Sequence, residues 1–366
     1  MSTNDWSTLG RNAMKKDLVN VKANKDDLFK MAMSFQVSKA LFLGNELDVF
    51  SLLSKKSATV ETLAKKLQLH PRPLGRLLNV LVACGLLNKR NERFSNTEIA
   101  TAFLVKGKPE YFGDYLSIVN DVSETWGRYE RVIRENHSLP LFQKDYPQAS
   151  DTARVLDGRQ LQLIRRVMLA QEAFSYRQAV ALPAVYDFSK HSFLLDIGGG
   201  TGIFSVMAVQ AQPHLKSIVF DMPAVCTVAR ERIKFYKAAK KITVQEGNLL
   251  TDDLPAEADV ALISTVLDGY DEPECRMLLK KAFTVLKSKG VLIINEMMLN
   301  EERTGPLFPA LFSLELMVER NTGNARTVGE IRQWMKDAGF VAITTKPLRE
   351  QGETYLNCKI VVGRKP

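Results

Sequence analysis

At 366 residues, 45% of them hydrophobic, the chain has the composition of a globular protein and the length of two domains rather than one. A net charge of +9 admits nucleic acid or acidic surfaces as partners, but pairs such as Lys15-Lys16, Lys55-Lys56 and Lys240-Lys241 are spread along the chain and read as solvated helix faces. No apolar run reaches the ~20 residues that cross a bilayer, and four scattered cysteines (Cys84, Cys226, Cys275, Cys358) without C-x-x-C spacing argue against a metal site and against a disulfide framework.

The polar start Met1-Ser-Thr-Asn-Asp-Trp6 lacks a signal-peptide apolar core, so a reducing cytoplasm is the expected location. Residues 1 to about 25 read as a polar arm or a swapped first helix. From Asp26 to Leu53 apolar residues recur at helical spacing: Leu28, Met31, Phe35, Ala40, Leu43, Leu47 and Phe50. A short helix follows over Thr59–Leu69, then a turn at His70-Pro-Arg-Pro73, then a second helix over Leu74–Leu87. Asn88-Lys-Arg-Asn-Glu-Arg-Phe94 has the charged turn of a wing, which completes a winged helix-turn-helix pattern. The second helix is dense in leucine and valine, with only Arg72, Arg76 and Asn79 free to face bases, so a subunit interface is expected there instead of DNA. Residues 97 to about 185 read as a helical connector that includes Trp126-Gly-Arg-Tyr129 and the amphipathic stretch Leu161–Phe174.

After Asp187 strands and helices alternate, the signature of a parallel sheet. The candidate strands are 193–197, 217–220, 242–246, 259–265, 290–297, 341–346 and 355–363. The first, Phe193–Ile197, runs into Gly198, Gly200 and Gly202, where a tight turn and close approach of a ligand to the backbone exclude a Cβ. The dinucleotide fingerprint requires glycine at position 203, which is Ile203. Asp196-x-Gly198-x-Gly200-x-Gly202 instead resembles the motif with which class I methyltransferases bind S-adenosylmethionine (SAM). The next strand ends in Asp221, 25 residues beyond Asp196, where a carboxylate can accept both ribose hydroxyls of a nucleoside.

Over nearly its whole length the chain resembles the dimeric small-molecule O-methyltransferases, which include caffeate and acetylserotonin methyltransferases. The resemblance rests on Leu194–Gly202, Phe220-Asp-Met-Pro-Ala224, Glu246-Gly-Asn-Leu249, Ala258-Asp259, Asp271–Leu279, Ile294-Asn-Glu-Met297 and Arg326-Thr327. It implies a winged-helix dimerisation domain (1–105), a helical connector lining the acceptor pocket (106–186) and a Rossmann-like α/β domain (187–366) with a seven-stranded, mostly parallel sheet. It also implies SAM as cofactor, S-adenosylhomocysteine as product, a homodimer, a small-molecule acceptor, and neither nucleic acid nor membrane insertion. By position, Asp196, Gly198, Gly200, Asp221 and Met222 belong to the cofactor site. Asn248 stands where the family has an aspartate facing the adenine amine, a bond its amide oxygen can also accept. Leu249 packs beside the adenine, and Ser264 touches the cofactor. Met168 lies near the reacting methyl group, while Trp126 and Tyr270 line the acceptor pocket.

At the catalytic position the resemblance breaks. Where the family carries His-Asp-Trp, this chain has Asp268-Gly269-Tyr270, and of the family's two flanking acids one is Glu296 and the other position is Ala325. No histidine occurs after His214. A positioned general base contributes about 10²–10⁴-fold, and an aspartate of pKa ~4 is a poor base toward a phenol of pKa ~10. Burial and the nearby Glu296 charge would both raise that pKa. Methyl transfer itself rests mainly on proximity and alignment. The expected activity is therefore SAM-dependent methylation of a small, secondary-metabolite acceptor that is already nucleophilic (an amine, acidic phenol, carboxylate, thiol or activated carbon), with Asp268 orienting it or acting as a weak base. A family member that keeps SAM for hydroxylation or pericyclic chemistry is the alternative, and a SAM-sensing winged-helix regulator is a third.

Overall fold

The computed structural model describes residues 24–139, 158–255, 257–319, 322–348 and 356–366. The N-terminal arm expected over residues 1–25 lies almost wholly outside them. The chain divides into two compact units, Met1–Gly113 and Asp114–Pro366.

The first unit runs α1 (Lys25–Glu46), α2 (Val49–Leu52), β1 (Ala58–Thr59), α3 (Val60–Leu67), α4 (Pro71–Ala83), β2 (Leu87–Arg90), β3 (Arg93–Asn96) and α5 (Glu98–Phe103). The three strands pair antiparallel in the order β1-β3-β2, which makes β2 and β3 the wing. Thr59 caps α3 by accepting the Thr62 N–H. Helix α4 begins three residues earlier than its apolar pattern, inside the expected turn: His70 Nδ1 accepts the Arg72 N–H at 3.2 Å, and Pro71 takes the first helical position, where a missing N–H costs nothing.

On α4, Leu74, Leu78 and Leu81 are buried, whereas Val80 is 42% exposed and Arg72, Arg76 and Asn79 are exposed. A larger exposed apolar surface lies on α1, at Leu28, Phe29, Met31, Phe35, Val37 and Leu43. One expectation is corrected: the lysine pairs do not occupy helix faces. Lys55-Lys56 sits on the bend before β1 and Lys240-Lys241 on the turn before β6, while Lys15-Lys16 lies outside the described residues.

The second unit opens with α6 (Gly113–Trp126), α7 (Tyr129–Glu135) and the 28-residue α8 (Gly158–Val185), the helices expected of the connector. It continues with β4 (Phe193–Ile197), α9 (Ile203–Ala211), β5 (Lys216–Asp221), α10 (Pro223–Phe235), β6 (Ile242–Glu246) and β7 (Ala258–Ser264). The tight turn Leu267–Gly269 leads to α11 (Glu272–Val285), β8 (Leu286–Met297), α12 (Leu307–Glu319), α13 (Val328–Asp337), β9 (Val341–Pro347) and β10 (Cys358–Arg364).

These seven strands form one sheet in the order β6-β5-β4-β7-β8-β10-β9. Strands β4 to β8 are parallel, and β10 runs antiparallel to both neighbours. Alternate residues feed opposite faces. Leu194, Val260, Leu262 and Ile293 pack in one apolar cluster, and Leu195, Ile197, Ala261, Ile263 and Ile294 in the other. Both faces are therefore buried, which is why these strands read as continuous apolar runs. Strand order reverses between β4 and β7, and in open α/β sheets ligands bind outside the carboxyl ends of the strands at such a point.

Candidate active site

Four strand ends meet around that switch point, and each carries a residue singled out from the sequence. β4 ends in the glycine loop, β5 in Asp221, β7 in Ser264, and β8 in Asn295-Glu296-Met297. Gly198 has φ +67, and a Cβ there would lie 2.8 Å from Val266 Cγ2 and 3.2 Å from Leu249 Cδ1, so conformation and packing both demand glycine. Gly200 has φ +57, yet a Cβ there would meet nothing within 4 Å. Space is left open above it.

The acid at the end of β5 is tied to this loop. Asp221 Oδ2 accepts the Gly200 N–H at 2.9 Å, and Oδ1 accepts the Met222 N–H at 2.7 Å. Burial pushes its carboxyl up to about 6, against those two backbone donors. Asp196 lies beneath the loop, almost fully buried, with Oδ2 accepting the Ser205 hydroxyl at 2.7 Å and Oδ1 without a partner. Burial raises it to about 6 as well, with the Ser205 bond opposing. These features fit a nucleoside-bearing cofactor. The open approach to Gly200, the orphaned Asp196 oxygen and the Asp221 carboxylate are what SAM requires of a binding loop.

Asn248 is buried and closes a local turn: its N–H donates to Asp252 Oδ2 and its Oδ1 accepts the Leu250 N–H, both at 2.9 Å. Leu249 is buried and leans on the glycine loop, as its distance from Gly198 shows. Met222 and Met168 come together, since Met168 is buried with Ile164, Val225 and Val228 in a small cluster that Met222 flanks. Trp126 is half-buried and stacks on Tyr129 at 5.6 Å, on the side where the Tyr129 hydroxyl reaches Met317 of α12.

Asp268 and Glu296 are brought together. Asp268 is 7% exposed on the Leu267–Gly269 turn, and Glu296 is 1% exposed at the end of β8. Glu296 Oε1 accepts the N–H groups of Val266 at 3.0 Å and Leu267 at 2.9 Å, so it fastens the backbone of the turn that carries Asp268. Burial first, and the Asp268 charge second, raise the Glu296 carboxyl well above the ordinary range, against those two N–H groups and Arg326. Tyr270 is half-buried, and its carbonyl accepts the Arg326 guanidinium.

Three features escaped the sequence reading. Arg326 was visible only as part of a motif without a role. Thr265, between Ser264 and the turn, has φ +51, a conformation that disfavours a β-branched residue. Asn295 points to the face opposite Glu296, as strand alternation demands, and donates to Ser264 Oγ at 2.9 Å and to Gln178 of α8 at 3.2 Å. No local pattern in sequence marks an asparagine at the end of an apolar strand as a partner of a helix more than a hundred residues earlier.

None of the four histidines falls on the Leu267–Gly269 turn or at the carboxyl end of a strand. His191 and His214 precede β4 and β5, at the opposite ends of the strands, where His214 Nε2 lies 3.0 Å from the His191 carbonyl. His70 caps α4, and His137 follows α7.

Comparison with known proteins agrees with this geometry. Residues 126–341 match the family model of the O-methyltransferase domain, and residues 29–106 match that of the O-methyltransferase dimerisation domain. The chain is 29% identical over 319 residues to the 3-hydroxy-5-methyl-1-naphthoate 3-O-methyltransferase of Streptomyces sahachiroi, covering 87% of this chain and 90% of that one. It is also 29% identical over 327 residues to the N,N-dimethyltransferase OxyT of Streptomyces rimosus, covering 87% and 91%. Among solved structures, human N-acetylserotonin methyltransferase in complex with SAM superposes with a TM-score of 0.79 at 26% identity, covering 92% and 96% of the two chains.

Proposed function

The chain belongs to the O-methyltransferase family of SAM-dependent, small-molecule methyltransferases, and from that premise we propose that its acceptor is nucleophilic without help from a strong base. The observation that carries this is Asp268, buried on a turn fastened by Glu296, in a stretch of sequence that holds no histidine after His214. SAM, when bound, supplies an electrophilic methyl group on a sulfonium. Asp221 would hold the ribose hydroxyls, the Gly198–Gly202 loop would lie along the rest of the cofactor, and Leu249 and Asn248 would face the adenine. Asp268 would accept a hydrogen bond from the acceptor and fix its angle of approach.

Burial and the Asp268 charge hold Glu296 toward its protonated form, so Asp268 would be left as the hydrogen-bond acceptor that a proton-bearing substrate group meets. A neutral amine, which brings both an N–H donor and a nucleophilic lone pair, suits such a site. That one relative carries the name N,N-dimethyltransferase supports including nitrogen acceptors. The four free cysteines agree with a reducing compartment, and a cytoplasmic location remains our reading.

The experiment is transfer of label from methyl-labelled SAM into a small-molecule extract of the source cells, with SAM binding followed in the same samples. Asp268→Ala should lower turnover at saturating SAM by roughly 10–100-fold, at the low end of general-base effects, and leave SAM affinity unaltered. Equal rates in the variant would remove Asp268 from the mechanism.

A further inference from the structure

Arg326 takes no part in the chemistry above, yet the residue is only 6% exposed and its guanidinium lies over the Trp334 ring at 5.4 Å. A planar cation with five donors is kept out of water only where acceptors meet it. Those acceptors are backbone carbonyls of the catalytic turn. Nη2 donates to the Tyr270 carbonyl, and Nε and Nη2 both reach the Leu267 carbonyl at 3.4 Å. From the other side Glu296 Oε1 accepts the Val266 and Leu267 N–H groups. The Asp268 carbonyl accepts the Asn324 N–H at 2.8 Å, and Cys275 Sγ lies 3.2 Å from the Leu267 carbonyl. The turn's donors thus meet an acid and its acceptors meet a base, and Asp268 is the carboxylate it presents.

We propose that Arg326 is a positioning residue, which with Glu296 clamps residues 266–270 from both sides and so fixes where Asp268 holds its carboxylate. A turn this short, entered through the left-handed Thr265, has little regular structure of its own to hold it. The clamp supplies what a helix or strand would. Its guanidinium also favours the ionised form of Glu296, which Asp268 opposes, and the Cys275 thiol feels Arg326, Glu296, Asp268 and Asp271 together. For its catalytic consequence the proposal rests on Asp268 facing the acceptor; the clamp itself does not.

Arg326→Gln removes charge and fork, and Arg326→Lys keeps the charge but loses the planar fork. Hydrogen–deuterium exchange of the 266–270 amides, and a pH titration of ¹³C-carboxyl-labelled Asp268 and Glu296, read the two effects separately. In both variants turn amides should exchange at least about tenfold faster, as expected for lost bonds to a charged group, while β4 and β7 keep their protection. The carboxyl pair should hold its proton to higher pH in Arg326→Gln and titrate as in the parent in Arg326→Lys. Unchanged turn exchange in either folded variant overturns the clamp, as does a loss of protection shared evenly by the whole sheet. If Arg326→Gln does not fold, the exchange of Arg326→Lys decides alone. The two ideas fail separately. An Asp268→Ala variant with full methyl transfer sinks the acceptor-facing reading and leaves the clamp standing, and unchanged exchange does the reverse.

Discussion

Asp221 is the residue on which cofactor affinity should turn. Its carboxyl is raised to about 6 because the fold takes it out of water, and Asp196 beneath the glycine loop is raised to about 6 for the same reason. Each group has a folded pKa above its unfolded value near ~4. Its contribution to stability is therefore fully present below the unfolded pKa and is lost as pH rises through the folded one. Cofactor-free protein should accordingly gain stability as pH falls from 7 to 5. Binding should run the other way, because ribose hydroxyls need an ionised acceptor. SAM affinity is expected to be flat above pH 7 and to weaken by up to about tenfold per unit below 6 for each proton taken up. Asp221→Asn should bind SAM more than about tenfold more weakly at pH 7, a lost hydrogen bond to a charged group being worth that much, and should flatten the acid limb. Calorimetric titration from pH 5 to 8 checks this, and an acid limb that survives in Asp221→Asn would assign it to another group.

At the scale of elements, the glycine loop separates what packing requires from what a ligand requires. Gly198 is enclosed by Val266 and Leu249, whereas Gly200 faces open space with a positive φ. Gly200→Ala should therefore cost only the left-handed strain, roughly 1–2 kcal/mol of stability, while weakening SAM binding by more than that strain explains. Thermal melts paired with affinity measurements separate the two, and loss of stability with intact affinity would mean that no ligand approaches that backbone. Elements of this kind were legible in the sequence because each rests on local chemistry: apolar runs for doubly covered strands and alternating glycines for the loop. Local pattern misled at α4, where Pro71 starts the helix inside an apparent turn. It was silent on Arg326, whose partners are backbone carbonyls 56 and 59 residues earlier that any sequence would supply.

For the whole molecule the open question is what covers α1. Leu28, Phe29, Met31, Phe35, Val37 and Leu43 are between 37% and 65% exposed, a contiguous helical stretch too apolar to face water by choice. The helical spacing of Leu28, Met31, Phe35 and Leu43 was visible in the sequence, but Phe29 and Val37 lie on other sides of the helix, and periodicity cannot say whether the same chain or another covers them. The match of residues 29–106 to the O-methyltransferase dimerisation domain supports a second copy as the cover. Burying this helix between two copies symmetrically calls for a two-fold contact, in which each helix meets the same surface of its partner. Light scattering should then give a particle of twice the 41.1 kDa chain mass at micromolar concentration. Phe35→Glu would place a charge on the seam of both copies at once, so dissociation to the monomer is expected with the secondary structure of the second unit intact. A parent protein that is monomeric at every concentration would instead mean that its own chain covers α1. A variant that stays dimeric would move the interface to another face of the unit.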